Sequence, residues 1–230
     1  MMANDEINKK ADEYISYFEK HKEDIPNIDK LIKLLKSDNK TGHIVHAEFV
    51  KRFFECNKFK VTDVEKKYND YDVDIELMNA SLISRILYIF VLKYWRINLQ
   101  IWYGASFSTH ELDRKGLEAK EETIEGKKVR VWRGGVPTNW NADEEKIKNK
   151  LRQLPNKNLG LIICFEYSIG VNILPEWVNE IPDNKAVVLM HYTKYNKEIQ
   201  GEAEIYHSKK FKHLQMAKRV VSAAGFNLKY

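Results

Sequence analysis

The chain has 230 residues, which suits one large domain or one domain with an appendage. Hydrophobic residues make up 43% and charged residues 31%, so we expect a packed core and not a disordered chain. The net charge of +5 permits nucleic-acid binding but does not require it.

Cysteines and apolar runs exclude several classes of protein. Cys56 and Cys164 are too few for a disulfide framework and form no C-x-x-C pair, so a ribbon-type zinc site is excluded. The opening MMANDEINKK is polar and carries no apolar signal region. The most apolar run, residues 86–92, is far shorter than the roughly 20 residues of a membrane span. We therefore expect a soluble, cytoplasmic protein without a membrane partner.

Two helices are predicted in the first 38 residues. Residues 4–22 place apolar side chains at helical spacing, Pro26 interrupts the pattern, and residues 28–35 form a second short helix. Two interpretations of this arm remain open. It binds another subunit, or it is a helical cap packed on the main domain.

The next predicted helix begins in SDNKTGHIVHAE. Its apolar side is formed by Ile44, Phe49, Val50, Phe53 and Phe54. His43, His46 and Glu48 cluster at its start. An H-x-x-H pair can ligate a metal, although the zinc-protease pattern H-E-x-x-H is not present. A strand is predicted to follow from Phe59.

Strict alternation predicts a strand over residues 70–77. Tyr71, Val73, Ile75 and Leu77 would share one face, and the other face would carry Asp70, Asp72, Asp74 and Glu76. Two interpretations of the acidic face stand. It is solvated, or it holds a cation or a basic partner, because neighbouring like charges destabilise a sheet.

The secondary structure of the next segment, residues 80–96, is ambiguous. Residues 80–96 are rich in β-branched and aromatic side chains, which favours an inserted strand, but their leucine and isoleucine spacing also fits a helix. Alternation resumes over residues 97–103, with Asn98, Gln100 and Trp102 opposite an apolar face, and predicts another strand.

The order of a helix glutamate, a strand aspartate and a strand glutamine resembles the restriction-endonuclease-like, or PD-(D/E)xK, nucleases. AEFVKRFFECNKFKV and YDVDI are most similar to the Mrr-like branch, which uses Gln-x-Lys in its third motif. The likeness spans residues 43–104. It implies that Glu48, Asp74 and Gln100 form a catalytic site. Asp74 and Gln100 would hold Mg²⁺ or Mn²⁺, with Glu48 as a further metal ligand.

This chain departs from the family pattern at two positions. Trp102 stands where the family has its lysine, and Val73 stands where a glycine precedes the aspartate. Lys93 is the nearest candidate for a migrated catalytic lysine. The alternative is that Lys93 only solvates the apolar run beside it.

Helices and strands alternate through the rest of the chain, which predicts a sheet covered on both faces. The expected elements are a short helix and turn in 110–128, a strand at 129–132, a helix at 143–154, a buried strand at 159–165, a short helix at 175–180, a buried strand at 186–190, and a helix over about 208–224 capped by Gly225. Five lysines are candidate nucleic-acid contacts, with ordinary solvation as the alternative: Lys146, Lys150, Lys209, Lys210 and Lys212.

We therefore predict an α/β fold with a mixed central sheet flanked by helices. A helical arm at residues 1–38 precedes a restriction-endonuclease-like domain at 39–230, with its core at 43–104 and a C-terminal α/β extension at 129–230. The predicted function is a metal-dependent phosphodiesterase that binds DNA, with RNA as the alternative partner and a homodimer as a candidate assembly. A nuclease fold that only binds, or an assembly protein, remains open.

Overall fold

Five helices and nine strands form the part of the chain that the computed structural model describes. That part comprises residues 4–38, 40–67, 72–80, 96–103, 119–124, 127–132, 140–165, 178–195 and 198–228. The helices are α1 (Asn4–Lys20), α2 (Ile28–Leu35), α3 (Thr41–Glu55), α4 (Trp140–Gln153) and α5 (Leu214–Ala223). The strands are β1 (Phe59–Lys67), β2 (Asp72–Asn79), β3 (Arg96–Tyr103), β4 (Ala119–Ile124), β5 (Lys127–Trp132), β6 (Leu159–Phe165), β7 (Lys185–Tyr195), β8 (Glu198–His207) and β9 (Asn227–Leu228).

Seven of these strands form one mixed sheet in the order β1-β2-β3-β6-β7-β8-β9. The β1–β2, β2–β3 and β7–β8 pairs are antiparallel, and the β3–β6, β6–β7 and β8–β9 pairs are parallel. β4 and β5 form a separate antiparallel pair. The mixed α/β class is confirmed.

Helices cover both faces of the seven-stranded sheet. On one face, α4 buries Ile147 and Leu151 against apolar side chains of β6 and β7. On the other face, α1, α2, α3 and α5 share one cluster with the strands. Strands buried on both faces read as continuous apolar runs, which explains LGLIICF in β6.

The first two helices pack into this same core. α2 turns one apolar stripe inward, formed by Ile28, Leu31, Ile32 and Leu35. Phe18 of α1 and Phe53 of α3 are also fully buried in the shared cluster. The apolar faces of α1 and α2 are therefore covered within the chain itself. Among the described helices, none is long and apolar enough to cross a membrane.

Three local predictions need correction. Residues 119–124 form strand β4 and not a helix, because pairing with β5 outweighs the preference of a charged segment. The last helix begins at Leu214 and not near 208, since residues 208–211 form a turn in which the Phe211 N–H donates to Ser208 O. β8 is absent from the predicted elements, although Ile199, Ala203 and Ile205 alternate with polar residues.

The other predicted elements are either confirmed or lie outside the described residues. Strands at 129–132, 159–165 and 186–190 and the helix at 143–154 are confirmed within small end shifts. Gly225 has a φ of 84° and ends α5 as the predicted C-cap. The predictions for 81–95, 104–118 and 166–177 lie outside the described residues.

Lys185 stabilises the end of α4 from within the core. Its side chain is 2% exposed, and its Nζ donates to Leu151 O at 2.6 Å and Leu154 O at 2.8 Å. The last carbonyls of a helix have no partner within the helix, so this ammonium group satisfies two of them. Burial lowers the pKa of Lys185 to about 8.

This lowered pKa predicts a pH effect on stability. Between about pH 8 and the ordinary lysine value near 10.4, the unfolded chain binds more protons than the folded chain. The stability of the wild type relative to Lys185→Met should therefore rise with pH across this window. Urea unfolding at pH 7.5 and pH 10 measures it, with exposed Lys157→Met as the matched control. A difference between wild type and Lys185→Met that does not change with pH would contradict the prediction.

Candidate active site

The site begins where β2 separates from β3. The β2–β3 ladder ends at the pair Ile75 and Leu99, while β3 continues beside β6 as far as Tyr103. Beyond the end of the ladder, the Ile101 N–H donates to Asp74 Oδ2 at 2.6 Å. Asp74 Oδ1 receives no hydrogen bond from the described residues. The backbone of β3 thus orients a buried carboxylate at the point where the two strands separate.

A histidine of α3 lies between two carboxylates. The flanking pairs of the β1–β2 ladder, Val64 with Ile75 and Lys66 with Val73, place Glu65 opposite Asp74. His46 Nδ1 lies 2.8 Å from Glu65 Oε1, and His46 Nε2 lies 3.7 Å from Asp74 Oδ2. Carboxylates directly opposite each other repel, so a protonated His46 offsets that repulsion.

Burial and charge shift the titration of this group. Burial acts to lower the pKa of His46, but the charges of Asp74 and Glu65 outweigh it, and the pKa is raised. Burial also raises the pKa of Asp74, and Glu65 adds to that rise against the opposing charge of His46. Both His46 and Asp74 therefore have pKa values above those of the isolated side chains.

Glu76, on the same strand, shows that the acidic face of β2 is not solvated. Asp74 is 7% exposed and Glu76 is 1% exposed. Glu76 Oε1 lies 3.5 Å from Lys66 Nζ and 3.3 Å from Arg96 Nη1, and it accepts a hydrogen bond from Thr62. Of the two interpretations of this face, the solvated one is wrong for both carboxylates.

Gln100 joins β3 to α4 and to a lysine. Its Nε2 donates to Asp72 O at 3.0 Å and to Gln153 Oε1 at 3.2 Å. Its Oε1 accepts a hydrogen bond from Lys150 Nζ at 3.3 Å. Lys150 also interacts electrostatically with Asp74. A lysine of α4 thus contacts Gln100 and acts electrostatically on Asp74, whereas the sequence predicts it only as a nucleic-acid contact.

Glu48 lies in a different set of contacts from Asp74. Its carboxylate accepts hydrogen bonds from Tyr14 Oη and from Arg52 Nε, and Lys10 Nζ lies 3.9 Å away. Burial would raise the pKa of Glu48, but Tyr14, Arg52 and Lys10 outweigh it and hold the pKa below its ordinary value. None of its contacts among the described residues is with Asp74. Asp74 and Gln100 lie on neighbouring strands, and Asp74 accepts a hydrogen bond from the residue after Gln100, whereas Glu48 lies with α1.

The helical period of α3 explains this placement. Two residues correspond to about 200° of rotation, so Glu48 points away from the side of the helix that carries His46. Arg52 follows Glu48 by one turn and lies on the same side, where its Nη1 donates to Ala224 O at 2.6 Å. The sequence therefore contains a signal that His46, and not Glu48, faces the sheet.

Oxygen donors at the site fit a hard cation. Asp74 offers a carboxylate with one oxygen not engaged by the described residues, and Gln100 offers an amide oxygen. Mg²⁺ is commonly held by one or two carboxylates with water completing its shell. Glu48 lies apart from this donor set, because its contacts among the described residues are with Tyr14, Arg52 and Lys10 and not with Asp74.

The other predicted lysines are distributed around the sheet. Lys209, Lys210 and Lys212 are exposed in the stretch between β8 and α5. Paired residues run from Gln100 through β6 and β7 to Tyr206, three strand spacings or about 14 Å away. Lys93 and the side chain of Lys146 lie outside the described residues. The nucleic-acid role of these lysines stays a prediction.

Comparison with known proteins identifies no relative of this chain. No family model, curated protein or solved structure matches it. The resemblance to restriction-endonuclease-like nucleases therefore stays a prediction based on residues 43–104.

Proposed function

We propose that this protein is a metal-dependent phosphodiesterase that acts on nucleic acid, with DNA as the preferred substrate. One observation carries the proposal. Lys150 Nζ lies 3.3 Å from Gln100 Oε1, and its charge acts on the buried carboxylate of Asp74. A carboxylate, an amide oxygen and an ammonium group are the three kinds of group that the resemblance calls for. Lys150 supplies from α4 the amine that Trp102 cannot supply from β3.

Each residue has a distinct role in this proposal. Asp74 and Gln100 would hold Mg²⁺ or Mn²⁺, whose chemistry when bound is to polarise the phosphate and lower the pKa of a coordinated water. The ammonium group of Lys150 stabilises negative charge that develops on the phosphate oxygens during hydrolysis. The Ile101 N–H fixes one oxygen of Asp74 and leaves the other to bind.

His46 is a positioning residue in the proposed site. It lies between Asp74 and Glu65 and offsets the repulsion between them. The carboxylate of Asp74 can thereby stay buried beside β3, because His46 neutralises the charge of Glu65 next to it. A buried, oriented ligand group needs little reorganisation when a substrate arrives.

The exposed lysines before α5 supply a surface for the nucleic-acid backbone in this proposal. Lys209, Lys210 and Lys212 lie within four residues of one another. Contacts of lysine with phosphates give affinity that depends little on sequence and falls steeply with salt. Binding that weakens strongly between low and moderate salt would support this surface.

A binding protein without cleavage is the second candidate, and the amide of Gln100 favours it. Both atoms of that amide already have partners, Lys150 on the oxygen and Asp72 and Gln153 on the nitrogen. If these contacts persist when substrate binds, the oxygen offers less to a cation. The chain would then recognise nucleic acid through its lysines alone.

The deciding experiment is cleavage of supercoiled, linear and single-stranded DNA in Mg²⁺ or Mn²⁺. Asp74→Asn removes the charge at nearly constant shape, and exposed Asp12→Asn on α1 is the matched control. We expect cleavage to disappear in Asp74→Asn and to persist in Asp12→Asn. Circular dichroism checks that both variants fold.

Two other results would contradict the proposed active site. If wild type cuts with neither ion while binding DNA as well as Asp74→Asn does, the catalytic proposal fails and the binding protein stands. If cutting survives in Asp74→Asn, the activity comes from another site or another protein.

A further inference from the structure

A second set of ligand atoms lies on the side of the His46 ring that faces Glu65. His43 and His46 are three residues apart in α3, so their side chains project from neighbouring positions of one helix face. Their ring centroids are 5.5 Å apart. One ligand atom from each of His43, His46 and Glu65 lies within 4.8 Å of the other two. The three residues come from α3 and β1, and the fold brings them together.

Two further observations distinguish this cluster from an ordinary ion pair. The Nδ1 atom of His43 is buried and has no hydrogen-bond partner among the described residues, whereas buried polar atoms are nearly always paired. Glu65 has a φ of 49°, a left-handed conformation that is unfavourable for a residue with a side chain. Such backbone conformations persist where the surroundings impose them, often at ligand sites.

We propose that His43, His46 and Glu65 form a binding site for a borderline divalent cation of the Zn²⁺ class. Two imidazole nitrogens and one carboxylate oxygen are a common zinc ligand set, and the fourth position is then open to water. Mg²⁺ prefers oxygen ligands alone, so this donor set selects against the ion of the proposed nuclease site. The inference goes beyond the proposed function and concerns separate ligand atoms.

The surroundings of His46 match those of a metal-bound histidine. With Nδ1 turned to Glu65 Oε1 at 2.8 Å, Nε2 is left facing Asp74 Oδ2 at 3.7 Å. Histidine ligands usually donate their second N–H to a carboxylate, which orients the ring. At 3.7 Å, Asp74 places an opposite charge behind the ring without a direct hydrogen bond to it. A bound ion would replace the hydrogen bond between His46 and Glu65 and would link α3 to β1.

The rival explanation is that His46 merely neutralises two carboxylates and that His43 contributes nothing. The test uses the full chain, freed of metal with a chelator, and titrates it with Co²⁺ and then Zn²⁺. We expect one equivalent of Co²⁺ to give the visible absorption of a four- or five-coordinate nitrogen and oxygen site, and Zn²⁺ to displace it. Removing a group that only hydrogen-bonds a metal ligand weakens metal binding by about 10–100-fold. Removing a ligand itself should cost more, so His43→Gln and Glu65→Gln should each weaken binding by about 100-fold or more.

The matched control is His21→Gln, because His21 also pairs with a carboxylate, Asp24, at 3.4 Å but belongs to no such cluster among the described residues. This control should bind both ions as wild type does. Wild type without the Co²⁺ spectrum, or His43→Gln with unchanged affinity, would overturn the proposal. Binding that is lost in Asp74→Asn but kept in His43→Gln would also overturn it, since the ion would then sit at the proposed nuclease site.

The two proposals can fail separately. His43 has no part in the proposed cleavage chemistry, so His43→Gln should cut DNA with Mg²⁺ as wild type does. His43 is half-buried at the start of α3, and circular dichroism of the variant checks that it folds.

Discussion

Lys150→Met should slow DNA cleavage by about a thousandfold, within the range that one positioned charged or proton-transferring group contributes. The methionine keeps the length and apolar stem of lysine but removes the ammonium group that donates to Gln100 Oε1 at 3.3 Å. Lys150 has no salt bridge with the described acidic side chains, so the fold should tolerate the change. Single-turnover cleavage with saturating enzyme measures the chemical step apart from binding.

The matched control is Lys157→Met, which removes the same charge from an exposed turn after α4. It should leave the cleavage rate unchanged and should weaken DNA binding no more than Lys150→Met does. Equal rates for the two variants would show that Lys150 is not the missing lysine. Lys93→Met would then be the next variant, since Lys93 is the lysine that the sequence itself suggests.

Periodicity predicts the elements that carry the site. Alternation in 70–77 and 97–103 predicts β2 and β3, and the apolar run at 159–165 predicts β6. These patterns are local, because each is set by which faces of a single strand are buried. The sequence alone therefore assigns Asp74 and Gln100 to two successive core strands. In the folded chain, Asp74 accepts a hydrogen bond from Ile101, the residue after Gln100.

The partner of Gln100 cannot be predicted in the same way. Lys150 is 50 residues further along the chain, and its contact depends on how α4 packs on the sheet. A lysine on an amphipathic helix normally faces water, so the sequence suggests a nucleic-acid contact. Only the packing of Ile147 and Leu151 against β6 and β7 turns Lys150 toward β3.

The role predicted for Glu48 shows a different limit of sequence analysis. The order of acidic residues suggests a metal ligand, but order does not say which side of a helix faces the sheet. Phe49, Val50 and Phe53 are buried, so they mark the inner side of α3. His46 lies on that side and Glu48 does not, which follows from the helical period alone. In the sequence, His46 stands out only as half of an H-x-x-H pair.

His46→Gln should lower the free energy of unfolding by about 3 kcal/mol, the scale of removing one partner from a buried ion pair. The side chains of His46, Glu65 and Asp74 are only 13%, 12% and 10% exposed, so water screens their charges weakly. Without the imidazolium, Glu65 and Asp74 would oppose each other across β1 and β2. Urea unfolding at pH 6 with a chelator present measures the loss apart from any metal effect.

The loss should depend on pH in a defined direction. Because the pKa of His46 is raised in the folded state, its stabilisation is complete below the unfolded histidine value of about 6.5 and disappears as pH rises through the folded value. Wild type and His46→Gln should therefore differ most near pH 6 and converge as pH rises above the folded-state pKa of His46. Protonation of Asp74 at low pH should also bring them together, and it begins at higher pH than for an ordinary aspartate because the folded-state pKa of Asp74 is raised.

A double variant separates charge repulsion from lost packing. Asp74→Asn in the His46→Gln background removes one of the two opposed carboxylates, so it should recover part of the stability that His46→Gln loses. The coupling between the two positions should be at least about 1 kcal/mol for groups in direct electrostatic contact. Purely additive effects would mean that His46 stabilises the fold by packing. The orientation of Asp74 would then depend on the Ile101 N–H and the sheet, and not on the imidazolium.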